Sequence, residues 1–125
     1  KTKEKAEAHI KKISNDISAA FGAKAEVIIE KGYPVTINTE NETNIAAEVA
    51  GTIVGKDNVD KNMVPVMGSE DFSFMLNEVP GAYICIGQKD PKHPHPVHNS
   101  EYDFNDNILA IGTSYWVELV KKILN

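Results

Sequence analysis

At 125 residues with a formal net charge of −5, the chain is one domain or less and lacks the basic face that neutralises nucleic-acid phosphates. The same acidity disfavours anionic membrane surfaces, and no apolar run approaches the roughly 20 residues that span a bilayer. The single cysteine, Cys85, forbids an internal disulfide and points to a reducing compartment, so the expectation is a cytoplasmic protein with neither nucleic-acid nor membrane partners.

Residues 3–21 predict an amphipathic helix: Ala6, Ile10, Ile13, Ile17 and Phe21 recur at spacings of three and four and share one face. Gly22 supplies the stop, because it enters a left-handed cap without a Cβ clash. KAEVIIE at 24–30 predicts a strand from its branched residues Val27, Ile28 and Ile29. A helix–strand pair buries little by itself, which predicts further partners for it.

GYPVTINTEN at 32–41 is a connector, with Pro34 keeping Tyr33 extended. Thr39 and Glu42 have capping-box spacing, with Thr43 a competing start, and a second helix follows to about Val54 with a stripe of Ile45, Val49 and Ile53 and Gly55 closing it. MVPVM at 63–67 predicts a short strand, kept from a fully laddered position by Pro65. Gly68 and Ser69 mark a turn in which Ser69 is expected to cap a short helix opening at Glu70 and Asp71. AYICIG at 82–87 predicts a buried strand carrying an inert Cys85. A proline-punctuated loop, QKDPKHPHPVHNSEYDF, leads to a last helix from Asn105 or Asp106 to Leu124. That helix has two adjacent apolar rows, one of Ile108, Ile111, Tyr115 and Leu119, the other of Trp116, Val120 and Ile123. Taken together these elements predict an α/β fold.

Chemistry concentrates in two places. His93, His95 and His98 share one loop, and neutral imidazole is a good metal donor. Pro94 and Pro96 stiffen that loop and leave His93 and His95 free to point to solvent, so the residues alone leave the ligand open. Glu70 and Asp71 follow a glycine turn, where carboxylates bind metal or orient a ligand histidine; acids in a first helical turn are also favoured by the helix field without any function. Asn99 is a candidate partner for a polarised carbonyl, and Asp103 or Asn105 for the cap of the last helix. There is no G-x-S-x-G elbow, H-E-x-x-H, phosphate loop or paired-cysteine motif.

The three blocks MGSEDFSFML, PGAYICIG and HNSEYDFNDNILAIG, in this order and spacing, resemble the C-terminal end of the M20 metallopeptidases. Within them the chain is most similar to the amidohydrolase branch of aminoacylases, hippurate hydrolases and N-acetyl-diaminopimelate deacetylases. The resemblance implies that residues 1–31 end a lid or dimerisation domain of α+β type, and that residues 32–125 form the C-terminal part of the catalytic domain. It implies a site of two divalent metals, zinc first with manganese, nickel or cobalt as alternatives, in which His98 is the last metal ligand. Glu70 and Asp71 match the G-x-E-D-F block beside that site, and Ser69 and Asn99 are substrate-facing neighbours. Ser100 stands where many members have proline, a departure that alters loop stiffness.

The same resemblance expects the general base and the other ligands upstream, so no catalytic residue is assigned within residues 1–125 and the chain alone is expected to be inactive. It implies hydrolysis of the N-acyl bond of N-acyl amino acids or short peptides, by a homodimer joined through the lid. Two alternatives stand beside it: a dipeptidase or carboxypeptidase of the same family, and a non-catalytic α/β module that binds metal or protein through the histidine loop.

Overall fold

The computed structural model describes residues 1–124 and divides into two compact units, Lys1–Gly32 and a second that begins at Tyr33. Each is described by itself.

The first unit holds α1, Thr2–Ala20. Its end is a Schellman arrangement: Gly22 lies at φ 69°, its N–H donates to the Ala19 carbonyl (3.0 Å), and the Ala23 N–H reaches back to Ser18 (2.8 Å). The apolar stripe expected on this helix exists but none of it is buried, and Ile10, Ile13, Ile17 and Phe21 are all exposed. Beyond it Ala25, Val27 and Ile29 are half-buried and alternate with exposed Glu26, Ile28 and Glu30, the period of two that pointed to a strand.

The second unit contains α2 (Glu40–Val54), a 3₁₀ turn at Lys56–Asn58, α3 (Phe72–Glu78), a 3₁₀ turn at Asp106–Ile108 and α4 (Leu109–Leu124). α2 opens at Thr39 and closes at Gly55, which lies at φ 86°. The capping pair forms side chain to side chain, the Thr39 hydroxyl donating to the Glu42 carboxylate. That hydroxyl also accepts the Gly81 N–H (3.0 Å), and the Thr39 N–H donates to the Gly81 carbonyl (3.0 Å). Next to it Asn38 uses its side-chain amide as a substitute backbone: Nδ2–H donates to the Tyr83 carbonyl (2.8 Å) and Oδ1 accepts the Tyr83 N–H (2.8 Å). The start of α2 is thus tied to the segment after α3.

The core lies between α2 and α4. Ala46, Val49 and Tyr115 are buried there, with Ala50, Ile53, Ala82 and Leu119 packed around them. Gly112 leaves room for the Ile86 side chain, whose Cδ1 would sit 3.5 Å from an added Cβ. A Lys122–Glu48 pair (2.7 Å) bridges the two helices at the surface and holds the Glu48 carboxyl below its usual range. Of the two apolar rows on α4, the one with Tyr115 and Leu119 faces this core; Trp116, Val120 and Ile123 remain exposed.

The α/β expectation is overturned. Among the described residues there is no β-strand, and the regular structure is entirely helical. A strand exists only through hydrogen bonds to a neighbour, whatever its residue preferences. Residues 24–37, 60–69 and 82–89 exchange no backbone–backbone hydrogen bond with any described residue, so the three expected strands have no ladder. Their side chains are correspondingly open: Val64, Val66 and Met67 are exposed, and so is Cys85, which the sequence reading placed in a buried strand.

Candidate functional site

Glu70 and Asp71 lie at the entrance to α3, as the glycine turn predicts, but the cap differs from expectation. Ser69 is exposed and its hydroxyl caps nothing. Instead the Glu70 carboxylate accepts the Phe72 N–H (3.2 Å), and the buried Ser73 hydroxyl donates to the Glu70 carbonyl (2.5 Å). The Phe72 N–H, with Asp71 and the Tyr83 hydroxyl behind it, holds the Glu70 carboxyl below the usual range. The reciprocal effect, led by the same Glu70 contact, raises Tyr83. One oxygen of the Glu70 carboxylate is thus engaged at the helix start. Asp71 stands at the N-cap position with no side-chain cap bond and faces solvent.

The histidine loop is built at its base rather than its tip. Asp90 and Pro91 occupy the first two positions of a turn closed by the His93 N–H on the Asp90 carbonyl (3.2 Å). One oxygen of the Asp90 carboxylate accepts the backbone N–H groups of Lys92 and His93 and the His93 Nδ1–H, each at 2.8 Å. The His93 imidazole is the leading cause of the lowered Asp90 pKa, followed by the backbone donors. The other Asp90 oxygen accepts from Asn105 Nδ2 (3.2 Å), and the same amide donates to the Gln88 carbonyl (3.0 Å). Gln88 Oε1 in turn accepts the Asn105 N–H (3.1 Å) and the Tyr102 hydroxyl (3.2 Å). Asn105, 5 % exposed, also caps the last helical stretch by accepting the Asn107 N–H (3.1 Å), which decides between Asp103 and Asn105 as the cap.

His93 is consequently not a solvent-facing ring. Its side chain is 16 % exposed, with Nδ1 engaged by Asp90 and Nε2 3.8 Å from Asp103. His95 is half-buried near Glu101 (3.5 Å). His98 is exposed at the tip, and its ring nitrogens make no hydrogen bond or ion pair with a described residue. Its backbone lies at φ 69°, the one non-glycine residue in the left-handed region among those described. Asn99 turns the chain after it: its N–H donates to the Pro96 carbonyl (3.2 Å), its carbonyl accepts the Tyr102 N–H (3.1 Å), and its side-chain oxygen accepts the Glu101 N–H (2.8 Å). That leaves the amide nitrogen as the group Asn99 offers outward.

Of the five candidate residues, Ser69, Glu70 and Asp71 stand at one helix entrance and His98 and Asn99 at one loop tip. No hydrogen bond or ion pair among the described residues joins the two sets. The described residues do not by themselves fit a metal centre, because no group of three or more His, Cys, Asp and Glu is placed to hold an ion. Two open grooves of about 250 and about 290 Å³ are lined by residues of α2, α4 and the 61–62 turn, and contain none of the candidates. What the sequence reading missed is the Asp90–His93 turn, for which the Asp-Pro-x-His order was the available signal.

A family model of peptidase family M20/M25/M40 matches residues 2–122, spanning both units and every candidate residue. The chain belongs to this family. Proteins similar to the chain include a hippurate hydrolase of Campylobacter jejuni, 33 % identical over 98 % of this chain and 31 % of the relative. Thermostable carboxypeptidase 2 of Saccharolobus solfataricus is 29 % identical over 97 % of the chain and 30 % of the relative. An N-acetyldiaminopimelate deacetylase of Streptococcus pneumoniae is 27 % identical over 90 % of the chain and 29 % of the relative. The chain thus spans about a third of the length of the curated relatives it matches. No solved structure gives a significant match. No helix among the described residues is long and apolar enough to cross a membrane.

Proposed function

We propose that the protein is a metal-dependent amidohydrolase that cleaves the N-acyl bond of N-acyl amino acids, with a product carboxylic acid and a free amino acid. The observation that supports this most is the likeness over 98 % of the chain to a hippurate hydrolase, joined by a deacetylase over 90 %. Both names describe cleavage of an acyl–nitrogen bond. In this reading His98 donates its imidazole to one of two divalent ions, zinc in preference to manganese, nickel or cobalt. The choice of His98 over His93 rests on the resemblance of His98-Asn99-Ser100 to the family's last ligand block, and the exposed ring of His98 leaves both of its nitrogens open. One imidazole makes no metal centre, so the general base and the other donors come from outside the described residues. The anionic Glu70, with Asp71, lines the site and steadies its ligands; Ser69 and the outward amide of Asn99 face the substrate.

Residues 1–31 serve in this reading as the end of a lid through which two copies pair, supported by the uncovered stripe of Ile10, Ile13, Ile17 and Phe21 on α1. The likeness to a carboxypeptidase favours a second reading, hydrolysis of short peptides.

The test is turnover by the full natural polypeptide, supplied with each of the four metals, on N-benzoyl and N-acetyl amino acids and on dipeptides. N-acyl substrates should be preferred, and His98→Ala should lower kcat/KM at least about a hundredfold while the fold survives. Preference for dipeptides moves the assignment to the second reading. Activity that survives His98→Ala removes this residue from the site, and absence of all hydrolysis refutes the proposal.

A further inference from the structure

A left-handed backbone at a residue with a Cβ costs about 1–2 kcal/mol and persists only where the surroundings over-determine it. His98 is such a residue, exposed and with no side-chain hydrogen bond or ion pair to a described residue to hold it there. Its conformation must therefore be imposed through the chain on either side. Asn99 makes three local hydrogen bonds, and one of them, its N–H on the Pro96 carbonyl, closes a turn in which His98 is the third residue, the position that takes a positive φ. These bonds shape the turn, but a third turn position with positive φ is unfavourable for a residue with a Cβ, and local bonds alone leave it free to relax if the base of the loop opens. The two ends of the loop are joined elsewhere, at Gln88, Asp90, His93 and Asn105, where one carboxylate collects four donors from both sides of the loop.

We propose that the Asp90–His93 clasp holds the left-handed turn at His98, making His93 a positioning residue for the imidazole at the loop tip. The ring of His93 sits between Asp90, before the prolines, and Asp103, after the turn. Its Nδ1–H fixes the first of these, and Asn105 carries the connection from Asp90 to the start of the last helix. The significance of the clasp for catalysis rests on His98 being the ligand; its mechanical role does not.

The mechanical role is tested without metal by a double-mutant cycle, with unfolding followed by denaturant. At an intact left-handed turn, His98→Gly should have an unfolding equilibrium constant about threefold smaller than His98→Ala, since glycine alone escapes the Cβ clash. In a His93→Leu background the ratio should fall to about one, because a released loop no longer demands that backbone. His93→Asn, whose side-chain N–H can replace the Nδ1–H bond to Asp90, should restore it. Asp90→Ala cuts the clasp from the other side and should repeat the collapse, which guards against a peculiarity of the leucine. Amide exchange at Asn99, Glu101 and Tyr102 should quicken about tenfold in both cut variants, the scale of one lost charge-assisted hydrogen bond. A glycine-to-alanine ratio unchanged by His93→Leu and Asp90→Ala overturns the proposal. Because no metal enters the cycle, that result would leave the ligand assignment standing, just as loss of the ligand assignment would leave the clasp.

Discussion

Replacing His98 separates two properties that ordinarily travel together, the imidazole and the backbone it stands on. At φ 69° an added Cβ costs about 1–2 kcal/mol, while glycine forfeits about 0.5–1 kcal/mol of chain entropy on folding. The imidazole itself is exposed and bonded to no described residue, so its loss contributes little. His98→Gly should therefore be more stable than His98→Ala by about 0.5–1 kcal/mol, the reverse of their order inside a helix. For a chain of this size that corresponds to about 2–5 °C in Tm. Trp116, the sole tryptophan, reports the melt from α4 in the same unit as His98. His98→Asn should fall between the two, because asparagine tolerates the left-handed region better than alanine. Equal or inverted stabilities of the glycine and alanine variants would show that His98 does not hold a left-handed backbone in solution, and the positioning argument would fall with it.

Thr39→Ala should cost about 1–2 kcal/mol in unfolding experiments, since it removes the helix-entry contact with Glu42 and the acceptor of the Gly81 N–H together, and Thr39→Ser should recover most of it. The Glu42 carboxyl is lowered chiefly by the Thr39 hydroxyl, so its folded pKa lies below its unfolded one. That contribution is present above the unfolded value and is lost as pH falls through the folded value; Glu42→Gln should flatten this acid limb in melts taken from pH 7 downward. Cys85 should react fully with an aromatic disulfide reagent in the native protein at the rate of an accessible thiol, whereas protection until denaturant is added would restore the buried-strand expectation. Tyr115→Ala should destabilise the second unit by about 3–5 kcal/mol in denaturant titrations, because its ring fills the contact of α4 with α2.

Several features decided by neighbouring residues were readable in advance, though the expected Ser69 cap did not form and the Asp90 turn was missed. Gly22 and Gly55 end their helices at positive φ, which glycine adopts without a Cβ clash, and Thr39 and Asn105 start theirs with side chains a few positions away. Features decided by distant partners were not. Val64, Val66 and Ile84 have the composition of strands, yet a ladder requires a second strand, and no sequence window contains that partner. Cys85 follows the same logic, for burial is conferred by whatever covers a residue. The last helix carries the two apolar rows its sequence predicts, yet only the row with Tyr115 and Leu119 has cover. In the histidine loop the residues at the tip drew attention by their type, while the turn at Asp90, which supports them, was written in the plainer grammar of Asp-Pro.

The bond between Thr39 and Gly81 spans 42 positions and makes everything between them a closed loop fastened at its neck. Within that loop residues 63–68 are exposed and form no hydrogen bond with any other described residue. Closure entropy grows only with the logarithm of length, so doubling the loop costs about 0.6 kcal/mol. A guest domain with closely spaced termini, spliced between Met63 and Gly68, would therefore burden the host far less than its bulk suggests, and this stretch is the natural port for a fluorescent or affinity reporter.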